Sequence, residues 1–289
     1  MPELPEVEIT ARLLDRALAG AEIESALAPG INALKTFDPP LSALAGERVA
    51  AVRRRGKHVI VDVGAAGGER DLALLIHLMS AGRLQLYDKR AGPRDRTSRL
   101  LVRLGDGREL RLREFGSKQA AWVKLLRASE LDADEALATL GPEAWPDPPD
   151  GDALAALLDT PRPLHSLLRD QRTIAGIGRS WVDEILWTAQ LSPFKRGADL
   201  DADERALLRD AIVTVLGDAL ARYEEVVELP IPDKLPMPLK VHRHEGESCA
   251  RCGQTLHAVH FEDYVIAYCP HCQTDGRVLK DRRLSRLLR

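Results

Sequence analysis

The stretch "RVAAVRRRGKHVIVDV", residues 48–63, sets the architecture of the N-terminal half. Its two halves, RVAAVRRR and HVIVDV, are short β-branched or alternating runs of the kind that form strands, and Gly56 between them supplies a turn. Lys57 therefore stands at a hairpin tip. A solvated turn lysine fits this pattern, and so does a cation delivered towards a neighbouring site.

Similar runs continue to about residue 126: LALLIHL, RLQLYD, LLVRL, ELRLREF and AAWVKLL, separated by turns such as AAGG and GDG. Short strands at this density predict an antiparallel β-sandwich or barrel. Upstream, EVEITARLLDRALA (residues 6–19) places Val7, Leu14 and Leu18 at helical spacing, with Gly20 as a stop signal. Downstream of about 128 the pattern turns helical and stays so to about 228. Proline-rich breaks at GPEAWPDPPDGD (141–152) and ELPIPDKLPMPLK (228–240) mark connections.

The 289 residues are enough for two domains and a small module, and 45% hydrophobic content supports ordinary cores. No apolar run is long enough to span a bilayer, and the acidic, proline-bearing start is unlike a signal peptide. A soluble cytoplasmic protein is expected. The net charge of −3 is unevenly spread: residues 53–58 and 276–289 are basic, whereas 147–152 and 199–204 are acidic. Nucleic acid thus remains a possible partner for one face.

All four cysteines fall in one region, as Cys249-Ala-Arg-Cys252 and Cys269-Pro-His-Cys272. Two such knuckles supply four thiolates to one tetrahedral Zn²⁺. A closed four-sulfur site leaves no open coordination position, so this zinc is structural and organises a β-hairpin finger. Disulfides are disfavoured in a cytosolic setting. His257, His260 and His271 are not required as ligands.

The chain begins MPELPEVE. With Met1 trimmed, Pro2 becomes the terminus and its nitrogen a secondary amine, which is a nucleophile. The same residues also suit a stiff lead-in whose Glu3, Glu6 and Glu8 favour the positive end of the following helix.

Together MPELPEVE, the RRRGKH turn, LGPEAW (140–145), LLRDQRTIAGIGRSWVDEILW (167–187) and the double CxxC ending YCPHCQ resemble the formamidopyrimidine-DNA glycosylase and endonuclease VIII family, in order and over essentially the whole chain. The resemblance implies an α+β protein: an N-terminal β-sandwich with an N-terminal helix, a helical helix-two-turns-helix domain and a C-terminal zinc-finger hairpin. The expected divisions are a catalytic domain at 1–128, a linker at 129–150, a DNA-binding domain at 151–235, the finger at 241–274 and a basic extension at 275–289.

By the same resemblance, Pro2 attacks C1′ of the damaged nucleotide and forms an iminium, Glu3 handles protons at the deoxyribose, Glu6 organises the site, and Lys57 acts in catalysis or on a phosphate. A free proline amine has a pKa nearer neutrality than a lysine's. Gly176 and Gly178 precede a helix whose first N–H groups suit a phosphate, with Gln171 before them. Arg113 and Phe115 match the wedge that fills the gap left by an everted base. Trp181, Ile185 and Leu186 read as core.

Three positions depart from the family pattern. Arg179 replaces the usual asparagine after GIG, and Tyr264 takes the place of the finger arginine, with Glu262 and Asp263 before it. Ser80 stands where the glycosylase branch has methionine, with Met79 one place early; on a strand, that slip would turn Met79 to the opposite face. The basic extension, with Leu284, Leu287 and Leu288 on one helical face, fits a DNA-contacting helix, an anchor onto the finger or a solvated tail.

The expectation is a monomeric base-excision-repair glycosylase with apurinic/apyrimidinic lyase activity, acting on damaged double-stranded DNA at the nucleoid with one structural zinc and no membrane. Alternatives are a family member with a shifted lesion (abasic sites, oxidised pyrimidines, bulky or crosslinked adducts) and a non-catalytic damage binder. A zinc-finger transcription regulator gives no account of residues 1–8.

Overall fold

The computed structural model describes residues 1–30, 32–65, 70–92, 95–115, 119–261 and 264–279. Glu262, Asp263 and residues 280–289, which carry most of the basic extension, lie outside the described residues. The chain divides into two compact units: Met1–Thr139 with Leu220–Pro236, and Leu140–Ala219 with Met237–Arg289.

The first unit opens with α1 (Leu4–Leu18), stopped where Gly20 adopts φ +77°. Eight strands follow: β1 (Ile23–Leu27), β2 (Arg48–Arg55), β3 (His58–Gly64), β4 (Arg70–His77), β5 (Gly82–Tyr87), β6 (Ser98–Leu104), β7 (Glu109–Glu114) and β8 (Trp122–Arg127). They form the two antiparallel sheets of a β-sandwich, in the orders β1-β6-β7-β5 and β2-β3-β4-β8. The seven expected strands are present. β1 is an addition, a short edge strand whose only fully buried residue is Ile23.

β3 is buried along its whole length, which explains why its aliphatic residues run on where a half-exposed strand would alternate. Leu4, Val7, Ile9, Leu14 and Leu18 of α1 are fully buried, and each such side chain contributes roughly 1.5–3 kcal/mol. This burial anchors the start of the chain to the sheets. The β2–β3 connection pairs Arg55 with His58, leaving Gly56 and Lys57 as a two-residue turn with Gly56 at φ +55°.

The second unit is helical, with α3 (Gly151–Leu158), α4 (Leu164–Arg169) and α5 (Arg179–Thr188) following the short α2 (Glu135–Ala138), which belongs to the first unit. The long α6 (Ala202–Val226) ends within the first unit. Gly141 lies against the turn at 172–173, where an added Cβ would come within 2.5 Å of the Arg172 carbonyl oxygen. Reciprocal backbone hydrogen bonds, Ala144 N–H to Ala175 and Ala175 N–H to Pro142, fasten the GPE segment to that turn. The finger hairpin, β9 (His257–His260) and β10 (Val265–Tyr268), is followed by the one-turn α7 (Pro270–Thr274). No helix among the described residues is long and apolar enough to cross a membrane.

Candidate active site

Around the N-terminus the fold collects buried polar groups. Glu3, Glu6 and Lys57 are all buried, so Lys57 is not a solvated turn residue. Glu3 is the N-cap of α1, where the helix dipole favours a carboxylate. One oxygen of Glu6 accepts the Glu3 N–H at 2.8 Å, and the other accepts the Tyr223 hydroxyl at 2.7 Å. Burial, reinforced by the adjoining Glu6, pushes the Tyr223 phenol up, so it remains a donor. The terminal amine, here on Met1, is held below the ordinary α-amino value by burial; Glu3 and Glu6 oppose that shift, while Arg83 and Lys57 add to it.

A second set of ionic contacts ties the β2–β3 hairpin to α1. Arg54 Nε lies 2.8 Å from Glu8, which also accepts from Arg12. Burial would raise the Glu8 carboxyl, but its hydrogen bonds to Arg12 and Arg54 outweigh that effect and hold it below the usual range. This brace constrains the turn that carries Lys57.

Arg113 and Phe115 leave the end of β7 as a stacked pair, with the guanidinium carbon 4.6 Å from the ring centre. Thr97 and Tyr87 accept hydrogen bonds from the same guanidinium at 3.0 and 2.7 Å, and Phe115 is exposed. Met79 and Ser80 lie in the turn after β4, so the strand-alternation argument against Met79 does not apply. Met79 has φ +50°, and its N–H donates to His77 Nδ1 at 3.0 Å. Burial, with His58 nearby, lowers His77 to about 3, keeping it a neutral acceptor.

In the second unit the side chain of Gln171 is engaged by the backbone: its Nε2 donates to the Arg169 and Ile177 carbonyls, and its Oε1 accepts the Gly176 N–H. With Gly176 at φ +106°, these bonds shape the turn that ends at Gly178, the N-cap of α5. Trp181, Ile185 and Leu186 are buried, as expected of core residues. Tyr264 stacks on Phe261, centroids 4.5 Å apart, and on His165 at 5.9 Å. The guanidinium carbons of Arg169 and Arg179 lie 4.3 and 5.5 Å from the same ring. Phe261 and Tyr264 thus form an aromatic platform bearing two cations.

The four cysteine sulfurs lie within 4.8 Å of one another, with Cys249–Cys272 at 3.9 Å and Cys252–Cys269 at 3.5 Å. A tetrahedron of Zn–S bonds near 2.3 Å has edges of about 3.8 Å, so the donor set fits one structural zinc. Trp187 Nε1–H donates to the Cys249 sulfur, and Trp187 shares a buried cluster with Val241, Leu256, Ala267, Cys249 and Cys269. Buried Glu184 accepts the backbone N–H groups of Lys240, Val241 and His242. Asp183 accepts the Ala267 N–H and contacts His242. Acids from the middle of α5 therefore seat the finger.

A β-sandwich built onto its own N-terminal helix, a glycine turn opening a helix and a four-cysteine finger docked on that helix are the parts that the sequence resemblance implies. Family models described as the formamidopyrimidine-DNA glycosylase N-terminal domain and H2TH domain match residues 1–117 and 140–229. The chain is 31% identical over 283 residues to a formamidopyrimidine-DNA glycosylase of Xanthomonas oryzae pv. oryzae, covering 94% of this chain and all of the relative. It is 29% identical over 282 residues to that of Lactococcus lactis subsp. cremoris, covering 94% and 99%. Among solved structures, the wild-type L. lactis Fpg (MutM) in complex with N7-benzyl-Fapy-dG DNA superposes with a TM-score of 0.83 at 26% identity, covering 94% of this chain and 100% of that one. MutM bound to carbocyclic 8-oxo-G DNA gives 0.82 at 27%, with the same coverage. The chain belongs to the formamidopyrimidine-DNA glycosylase family.

Tyr223 and Arg83 had no sequence signal. Each lies near residues 1–6 from a distant part of the chain, and Arg83 opens the RLQLYD run, whose pattern marks a strand and not a site.

Proposed function

We propose that the protein is a bifunctional glycosylase and apurinic/apyrimidinic lyase, working as a monomer on damaged duplex DNA at the nucleoid. The observation that carries this reading is the buried set of Glu3, Glu6 and Lys57 around the chain terminus. After removal of Met1, the Pro2 nitrogen attacks C1′ and the base departs with the glycosidic electron pair, taking up a proton. The sugar ring then opens to an iminium on Pro2. Loss of a C2′ proton expels the 3′ phosphate, and hydrolysis frees the amine. Glu3 exchanges the protons at the sugar, Glu6 holds the Glu3 backbone, and Lys57 supplies positive charge.

Borohydride reduces an iminium to a stable amine. Trapping on duplexes with an abasic site or oxidised bases is expected to give one covalent adduct at Pro2, with its yield altered in Pro2→Gly. An intact mass retaining Met1, or tight binding without any adduct, would favour the damage-binder reading.

Arg113 and Phe115 are proposed as the wedge. Arg169 and Arg179, carried on Tyr264, are proposed to contact a DNA phosphate beside the Gly176–Gly178 turn, which Gln171 shapes. Arg179→Ala is then expected to reduce the slope of log affinity against log salt by about one for an abasic duplex. An unchanged slope would remove Arg179 from the interface.

A further inference from the structure

We infer that Tyr223 is a positioning residue for the N-terminal amine, acting through Glu6 on the peptide that joins residues 2 and 3. The inference rests on the proposed use of Pro2 as nucleophile.

Tyr223 is fully buried, and its hydroxyl is 2.7 Å from Glu6 Oε1. The other Glu6 oxygen accepts the Glu3 N–H at 2.8 Å. That N–H belongs to the peptide whose other side is the Pro2 carbonyl, so fixing it leaves only rotation about the Pro2 Cα–C bond to place the pyrrolidine nitrogen. One carboxylate therefore links residue 223 to the reacting end of the chain. Near-attack geometry requires such control, because small misplacements of a nucleophile cost large factors in rate. The hydroxyl selects the Glu6 conformation that grips Glu3.

The phenol donates to the charged form of Glu6 and thus favours ionisation. Without it, the buried carboxyl protonates at higher pH, and the protonated acid has less accepting capacity for the Glu3 N–H. The deficit should accordingly appear at low pH and fade as pH rises. The neighbouring terminal amine is acted on by Glu6 itself, by Glu3 on the same segment, by Lys57 in the β2–β3 turn and by Arg83 on β5, and Glu3 also acts on Tyr223. Tyr223→Phe alters none of them.

The test is single-turnover adduct formation, trapped by borohydride on an abasic duplex, from pH 5.5 to 8.5. The proteins are wild type, Tyr223→Phe, Glu6→Gln, the double variant and a protein with 3-fluorotyrosine at 223, with thermal melting alongside. Tyr223→Phe is expected to be about tenfold slower at the acid end and near wild type at the alkaline end, with its acid limb moved to higher pH. The double variant should be no slower than Glu6→Gln. Fluorotyrosine, a stronger donor that keeps the ring, should move the limb the other way.

A Tyr223→Phe profile that superimposes on wild type, or falls equally at every pH, would overturn the inference. If Tyr223→Phe melts below the assay temperature, an unmoved fluorotyrosine limb would overturn it. Failure of the wild-type protein to form any adduct would instead count against the proposed nucleophile, and would be seen before any variant is compared.

Discussion

Glu3→Gln is expected to lower base excision by about 10²–10⁴-fold while leaving the fold intact, the range associated with loss of a positioned general acid–base group. The substitution is nearly isosteric and keeps a polar side chain at the N-cap of α1. It removes the capacity to exchange a proton. The backbone N–H of Glu3 is unchanged and still donates to Glu6, so the position of the terminus should be conserved. Single-turnover release of a damaged base measures the loss, with affinity for an abasic duplex and melting temperature as controls. Release within threefold of wild type would exclude Glu3 as the proton-handling group.

The second large effect is expected from removing zinc. β9 and β10 have four residues each and α7 has five, which is too little structure to bury a core unaided. Structural zinc supplies about 10–16 kcal/mol of apparent binding energy to modules of this kind. Two of the sulfurs belong to the apolar cluster around Trp187, so loss of metal also strips the end of α5. Chelation, or Cys269→Ser, should release one zinc per chain and expose residues 241–274 to protease. Affinity for damaged duplex should fall by at least about a hundredfold, because the Tyr264 platform for Arg169 and Arg179 goes with the hairpin. A zinc-free protein that binds DNA normally would show that the finger is dispensable for recognition.

How much was legible in the chain followed the range of the interactions. The seven strands between residues 48 and 127 were visible because alternation or β-branching is local, and the zinc site because its ligand spacing is short. β1 escaped notice because IESAL buries only its first residue fully and owes its place to β6, some 75 residues later. Met79 was misplaced for a related reason: strand β4 ends at His77, where a backbone hydrogen bond to the imidazole and a left-handed residue start a turn. Tyr223 was invisible, since a tyrosine near the end of an amphipathic helix carries no mark of a carboxylate 217 residues away.

The N-terminal unit is discontinuous, comprising residues 220–236 as well as the first 139. On the ribosome, at roughly 5–20 residues per second, that last contribution emerges on the order of ten to fifty seconds after the first residues. Until then Glu6 lacks its Tyr223 partner and the start of the chain has no finished surroundings. A peptidase removing Met1 during synthesis, as the proposed nucleophile requires, would meet it on an unfinished unit, before the Glu6–Tyr223 contact can form.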